Sequence, residues 1–201
     1  AVRISESQLQ TSPQLAGAVI ALATDIDATV RMQVAYSSAF LKPADSAKSL
    51  SVMFAKSGEV AHLKSAEESA LTAENIMPIL SDLKKIAAKG DGTDRLLVNA
   101  ATLADAQSMQ TILTELAAFA MTTSETNVAT GDHMRRLASF ISAWSRRSAP
   151  ELLPGSAAVR SIWKPAMDLA LSILKSEDAA PQLQQAAVKL VAEGTFLSEP
   201  H

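Results

Sequence analysis

Three polar side chains on the first long apolar segment, Arg31, Gln33 and Tyr36, are of types that can bind a small ligand. A guanidinium and an amide donate several hydrogen bonds to the oxygens of an anion, and a phenol can add another. Their spacing of i, i+2 and i+5 is only partly aligned on a helix, which predicts a polar cluster on or beside one face. The alternative is an ordinary surface pair between Arg31 and Asp27, four residues earlier.

A second candidate is the basic segment 133–164, which carries six cations against one acidic residue, Glu151. Four of its cations form two adjacent pairs: Arg135, Arg136, Arg146 and Arg147. Such one-sided charge predicts a face for an anion or an acidic partner. The alternative is a solvated helix face with paired arginines.

Two aromatic residues lie near these arginines, Phe140 and Trp144. An aromatic platform beside a basic face can stack nucleic-acid bases. A spacing of i, i+4 is more typical of a helix side that faces the core, which is the interpretation we prefer. The net charge of −3 also gives no support for nucleic-acid binding.

Residues for catalysis or metal binding are sparse. The chain has no cysteine, and its three histidines (His62, His133 and His201) are never four residues apart. The sequence contains no recognisable Ser/His/Asp arrangement and no evident pair of carboxylates that would indicate catalysis. We therefore expect a non-enzymatic protein without a metal or another cofactor.

The elements that would position these residues are helices. Apolar residues make up 48% of the chain and aromatic residues only 4%, and the apolar residues recur at helical spacing. Capping signals and prolines predict seven helices, which begin at Pro13, at Asp45, near Asn75, and at Thr93, Asp132, Ser156 and Pro181. Pro43 and Gly194 are among the predicted helix ends. Pro78 is placed in the first turn of the third helix, and the fourth continues through Phe119. We predict an all-α, antiparallel helical bundle. No apolar run is long enough for a membrane span.

Two segments of the chain are similar to each other in sequence. Residues 45–103 align with 132–190 without a gap, pairing Asp45 with Asp132 and Pro78 with Pro165. The stretch Ile26–Gln33 matches Leu103–Gln110, and both end in Met-Gln. This pattern predicts a single helical domain over 1–201 with repeat units at about 14–90 and 93–179 and a closing helix at about 181–194.

The two Met-containing stretches resemble the Leu-Ala-Gly-Arg-Gln-Arg-Met pattern of type IV pilus chemotaxis-transducer N-terminal domains and of nitrate/nitrite sensor domains. The segment Trp163-Lys164-Pro165, followed by Ile173-Leu174, is similar to the later helix of such units. The resemblance implies a sensory module that is periplasmic or otherwise extracytoplasmic. It also implies that Arg31, the one motif arginine present, would hold an anion.

Together these observations predict a sensory or ligand-binding module for a small anion or polar ligand, with a protein partner or a homodimer. Two alternatives stay open. One is a coat or scaffold protein that uses segment 133–164, and the other is a carrier for an apolar ligand such as a lipid.

Overall fold

A computed structural model describes residues 2–56, 61–85, 91–122, 127–146 and 157–194. Every regular element in these ranges is helical, so the predicted all-α class is confirmed. The ranges hold eleven α-helices where seven were predicted, together with three short 3₁₀ turns. The chain forms two compact units, Ala1–Ala104 (unit 1) and Asp105–His201 (unit 2).

Unit 1 contains seven α-helices: α1 (Val2–Ser5), α2 (Pro13–Ala21), α3 (Ala28–Ser37), α4 (Pro43–Lys56), α5 (Ala61–Ser69), α6 (Ala73–Lys85) and α7 (Asp91–Leu103). The 3₁₀ turns are Glu6–Gln8, Leu22–Thr24 and Ser38–Phe40. Helix α4 packs against α2, α6 and α7, while α3 packs against α5. The core therefore forms around α4, and one cluster in it comprises Leu9, Ala16, Val19, Ala23, Val34, Ala35, Leu41, Met53, Leu63 and Ala66.

Unit 2 contains four α-helices: α8 (Ala106–Thr122), α9 (Asn127–Ser145), α10 (Ala157–Lys175) and α11 (Pro181–Gly194). Each of them packs against two others, in the pairs α8–α9, α9–α11, α11–α10 and α10–α8. Small residues bring α9 close to α11, because Gly131 faces Ala186 there. Both tryptophans of the chain, Trp144 and Trp163, are buried in this unit.

Two helices predicted as continuous are interrupted, in both cases at an aspartate. The predicted first helix ends at the turn Leu22–Thr24, and a new helix begins where the Asp27 carboxylate accepts the Thr29 N–H at 2.8 Å. The predicted fourth helix is divided in the same way, where Asp105 accepts the Ser108 N–H at 2.7 Å. Apolar spacing continues across both breaks. A carboxylate that satisfies a free backbone N–H still favours a helix start at these positions.

Other predicted starts are displaced. Helix α4 begins at Pro43, so Asp45 lies in its first turn instead of preceding it. Helix α9 begins at Asn127, which places Asp132 inside the helix. The predicted cap Ser156 lies outside the described residues.

The third predicted helix also begins earlier, at Ala73, which makes Pro78 an interior residue. The reason is a reciprocal cap: the Asn75 side chain accepts the Thr72 N–H at 2.8 Å, and the Thr72 hydroxyl accepts the Asn75 N–H at 3.3 Å. The buried Asn75 amide also donates to the Ser46 hydroxyl at 3.0 Å and to the Ala70 carbonyl at 2.9 Å. These bonds fix α6 against α4.

The alignment of residues 45–103 with 132–190 pairs several residues that are buried in both segments, among them Leu50 with Leu137 and Leu96 with Leu183. Pro78 and Pro165 both lie inside helices. The repeat units and the single-domain organisation stay predictions.

Candidate functional site

A cavity of about 220 Å³ lies in unit 1 beside Arg31. Four elements contribute to it: the end of the 3₁₀ turn after α2, and helices α3, α4 and α5. The lining residues are Ala23, Thr24, Asp25, Arg31, Met53, Lys56 and Leu63. Of these, the sequence alone indicated only Arg31.

Arg31 is held by backbone oxygens of the turn that precedes its own helix. Its Nη1 donates to the Asp25 carbonyl at 2.6 Å and to the Ile26 carbonyl at 3.0 Å. The Asp27 carboxylate, considered above as its partner, instead accepts the Thr29 N–H. A guanidinium has five N–H donors in one plane, so anchoring Nη1 orients the remaining nitrogens without using them.

The second cation of the cavity is Lys56, the last residue of α4, which is exposed. Within the described part of the lining the acidic residue is Asp25, which accepts the Asp27 N–H through Oδ1 at 2.8 Å. Among the lining residues that the structure describes, two cations and one carboxylate give a net charge of +1. The cavity is therefore suited electrostatically to a single negative charge.

The remainder of the wall is apolar. Ala23, Met53 and Leu63 are each at most 4% exposed and belong to the core cluster of unit 1. They lie on the turn after α2, on α4 and on α5, so the apolar wall forms only when these elements pack together. Sequence reasoning missed them because they read as ordinary core residues.

The structure does not bring Gln33 and Tyr36 to this cavity. Gln33 Nε2 lies 3.2 Å from the Ser37 hydroxyl and 3.4 Å from Glu6 Oε1, and the Ser37 hydroxyl donates to the same Glu6 oxygen at 2.6 Å. Tyr36 is 46% exposed. Residues two apart on a helix point in different directions, which separates Gln33 from Arg31.

The basic segment is partly neutralised where the structure describes it. Arg135 pairs with Asp132, and Lys164 Nζ lies 2.6 Å from Asp168 Oδ2. Arg146 is exposed at the end of α9. Arg136 is half-buried close to His133, and Arg147 lies outside the described residues. Exposed pairs of this kind contribute little, and the prediction of a partner-binding face stays a prediction.

Aromatic side chains of unit 2 pack inside it. Phe140 and Trp144 are at most 3% exposed and lie 6.5 Å apart, so they belong to the core. The His133 ring stacks on Phe119 at 5.4 Å. Burial, and next the charge of Arg136, lower the pKa of His133 from 6.5.

Unit 1 also contains an interior ion pair that the sequence did not reveal. Arg95 of α7 donates to Glu67 Oε2 at 2.9 Å and to Glu68 Oε1 at 3.0 Å. The Glu67 side chain is fully buried, and the guanidinium carbon lies 5.0 Å from the centre of the Phe54 ring. These ion pairs connect α7 to α5, and we expect them to stabilise the packing of unit 1.

No protein-family model, curated protein or solved structure matches this chain. Within the described ranges, no helix is long and apolar enough to cross a membrane. The same ranges contain no group of three or more acidic or histidine side chains placed to hold a metal ion.

Proposed function

We propose that the protein is a non-enzymatic helical binding module that takes a small anionic ligand in the cavity beside Arg31. The observation that carries the proposal is the combination of an anchored guanidinium, a second cation at Lys56 and a partly open cavity of about 220 Å³. Charge-assisted hydrogen bonds from such groups to an anion are shorter and stronger than neutral ones.

The size of the cavity favours a small ligand over a lipid. At roughly 30 Å³ for each water-sized atom, 220 Å³ has room for about seven such atoms. Pockets for drug-sized molecules hold about 300–1,000 Å³, so this cavity fits a ligand smaller than those.

A ligand in this position would contact four elements of unit 1 at once. Binding that prefers one packing of α3, α4 and α5 over another shifts the population toward it. A small helix displacement of this kind is the route by which a sensory role would operate. The same proposal includes an extracytoplasmic location, a likeness to chemotaxis-transducer sensory domains, a tandem duplication and an antiparallel bundle.

The test is the shift in melting temperature with nitrate, nitrite and acetate, each at the same ionic strength. A ligand at about a hundred times its Kd stabilises the folded state by about 2.7 kcal/mol, which is a shift of several degrees. Lys56→Met removes one cation of the cavity and should reduce the shift. Its matched control is Lys48→Met on the same helix, where Lys48 pairs with Asp45 and does not line the cavity.

Arg31→Ala should abolish the ligand-induced shift. The variant also loses the two bonds to the turn, so its melting temperature without ligand is expected to fall. The comparison is therefore between shifts with and without ligand for each variant. A shift that survives Arg31→Ala, or that Lys48→Met reduces as much as Lys56→Met does, contradicts the assignment of the site.

A further inference from the structure

The cavity beside Arg31 has two chemically different parts. Arg31 and Lys56 provide positive charge, whereas Ala23, Met53 and Leu63 form a wall of buried apolar side chains. We infer that the ligand is a small organic monoanion, a carboxylate with a short unbranched apolar chain, and not a bare inorganic anion. This inference rests on the proposed function and specifies the class of ligand.

The apolar wall is the first reason. An anion that enters a cavity loses its water, and every oxygen left without a donor carries a desolvation cost. Methionine, leucine and alanine offer no hydrogen bonds to an inorganic anion, which exposes oxygens on all sides. A carboxylate places both oxygens at one end, so its alkyl chain can face the apolar wall while its oxygens face the cations.

The size of the cavity is the second reason. Nitrate or nitrite would occupy only part of the room for about seven water-sized atoms. The remaining space beside Met53 and Leu63 would then hold water against apolar surface. A carboxylate with a chain of a few carbons fills that space and gains hydrophobic stabilisation.

The charge balance is the third reason. Asp25 lines the same cavity as the two cations, so the lining residues that the structure describes together match one negative charge. A second carboxylate on the ligand would have to lie near Asp25 or against the apolar wall, and both are unfavourable. A monocarboxylate should therefore bind more tightly than a dicarboxylate of similar length.

Isothermal titration calorimetry on the full chain tests the inference with the unbranched carboxylates from acetate to heptanoate, and with nitrate, succinate and pentanol for comparison. Each added methylene should tighten binding about fourfold until the cavity is filled. Pentanoate should bind more tightly than nitrate, succinate or pentanol. Lys56→Met should weaken the binding of every carboxylate by about the same factor, while Lys48→Met should not.

The length of the alkyl chain is tested with Met53→Ala, which enlarges the apolar end of the cavity. In this variant the tightest-binding carboxylate should be longer than in the unmodified protein. The series on the unmodified chain decides the question even if the variant does not fold.

The outcomes separate the inference from the proposed function. If nitrate and all the carboxylates bind with the same affinity, whatever the chain length, the inference is wrong and an anion site at Arg31 remains. Pentanol binding as tightly as pentanoate would overturn the anion site itself. An absence of binding by every compound in the series would overturn both.

Discussion

The ion pair between Arg95 and Glu67 leads to a quantitative prediction for Arg95→Met. The Glu67 side chain is fully buried and that of Arg95 is 14% exposed, so the substitution removes the Arg95 guanidinium from a carboxylate inside unit 1. Removing one partner of a buried pair costs about 3–5 kcal/mol, because the other charge stays desolvated. Methionine loses the contact of the guanidinium with the Phe54 ring but keeps an apolar stem, which limits the additional loss of packing.

The contribution of Glu68 is smaller. Its side chain is 36% exposed, and a pair with a partly exposed carboxylate contributes about 0.2–1 kcal/mol. We therefore expect the free energy of unfolding of unit 1 to fall by about 4 kcal/mol. Whole domains are stable by about 5–15 kcal/mol, so unit 1 should remain folded but with little margin.

Urea unfolding measures this loss with two probes. Circular dichroism at 222 nm reports helix in both units, whereas tryptophan fluorescence reports unit 2, because Trp144 and Trp163 both lie there. With an m-value of about 2 kcal/mol/M, the loss lowers the midpoint for unit 1 by about 2 M. The circular dichroism of Arg95→Met should therefore begin to change at much lower urea than that of the unmodified protein.

Two controls separate buried charge from lost packing. The double variant Glu67→Gln with Arg95→Met lacks both of these charges and should recover part of the stability lost in Arg95→Met. Arg135→Met breaks an exposed pair with Asp132 and should cost less than about 1 kcal/mol. A loss below about 1 kcal/mol for Arg95→Met, or no recovery in the double variant, would refute the assignment of Arg95 as the partner of a buried charge.

Two further predictions concern unit 2, and both can be followed by tryptophan fluorescence. Gly131→Ala should stabilise the unit by about 1 kcal/mol, because alanine is the better helix former and its methyl group would lie 3.6 Å or more from neighbouring atoms. A loss of stability in urea would contradict this and show that α9 and α11 are too close to accept the methyl group. The pKa of His133 is lowered in the folded state by burial and by Arg136, so the unfolded state takes up the proton more readily. Stability from this residue is complete above pH 6.5 and is lost as the pH falls through the lower folded-state value. Melting curves from pH 8 to pH 5 should therefore show the protein losing stability relative to its His133→Gln variant, and parallel pH profiles for the two would contradict this.

Much of the helical structure follows from the local sequence. The Ser12-Pro13 signal predicts the start of α2, and the structure begins that helix at Pro13 with the Ser12 hydroxyl accepting the Leu15 N–H. The start of α11 at Pro181 and its end at Gly194 also match the prediction. These features are local, because a cap involves residues only a few positions apart.

The interruptions of the helices were harder to predict. Asp27 and Asp105 lie within runs of helical apolar spacing, and that spacing alone predicts one continuous helix. Both carboxylates bond to a backbone N–H two or three residues later. An aspartate inside an apolar run can serve as a cap or as a solvated side chain, and the two patterns look the same in the sequence.

The amino-acid sequence alone predicts that this protein is helical, which residues cap several helices, and that Arg31 is a candidate cation for binding an anion. Only the tertiary structure placed Lys56, Met53 and Leu63 around it, because these residues lie on separate elements that meet through core packing. It also paired Arg95 with Glu67, 28 residues away. Periodicity shows which face of a helix is apolar, but it does not show which other helix that face will meet.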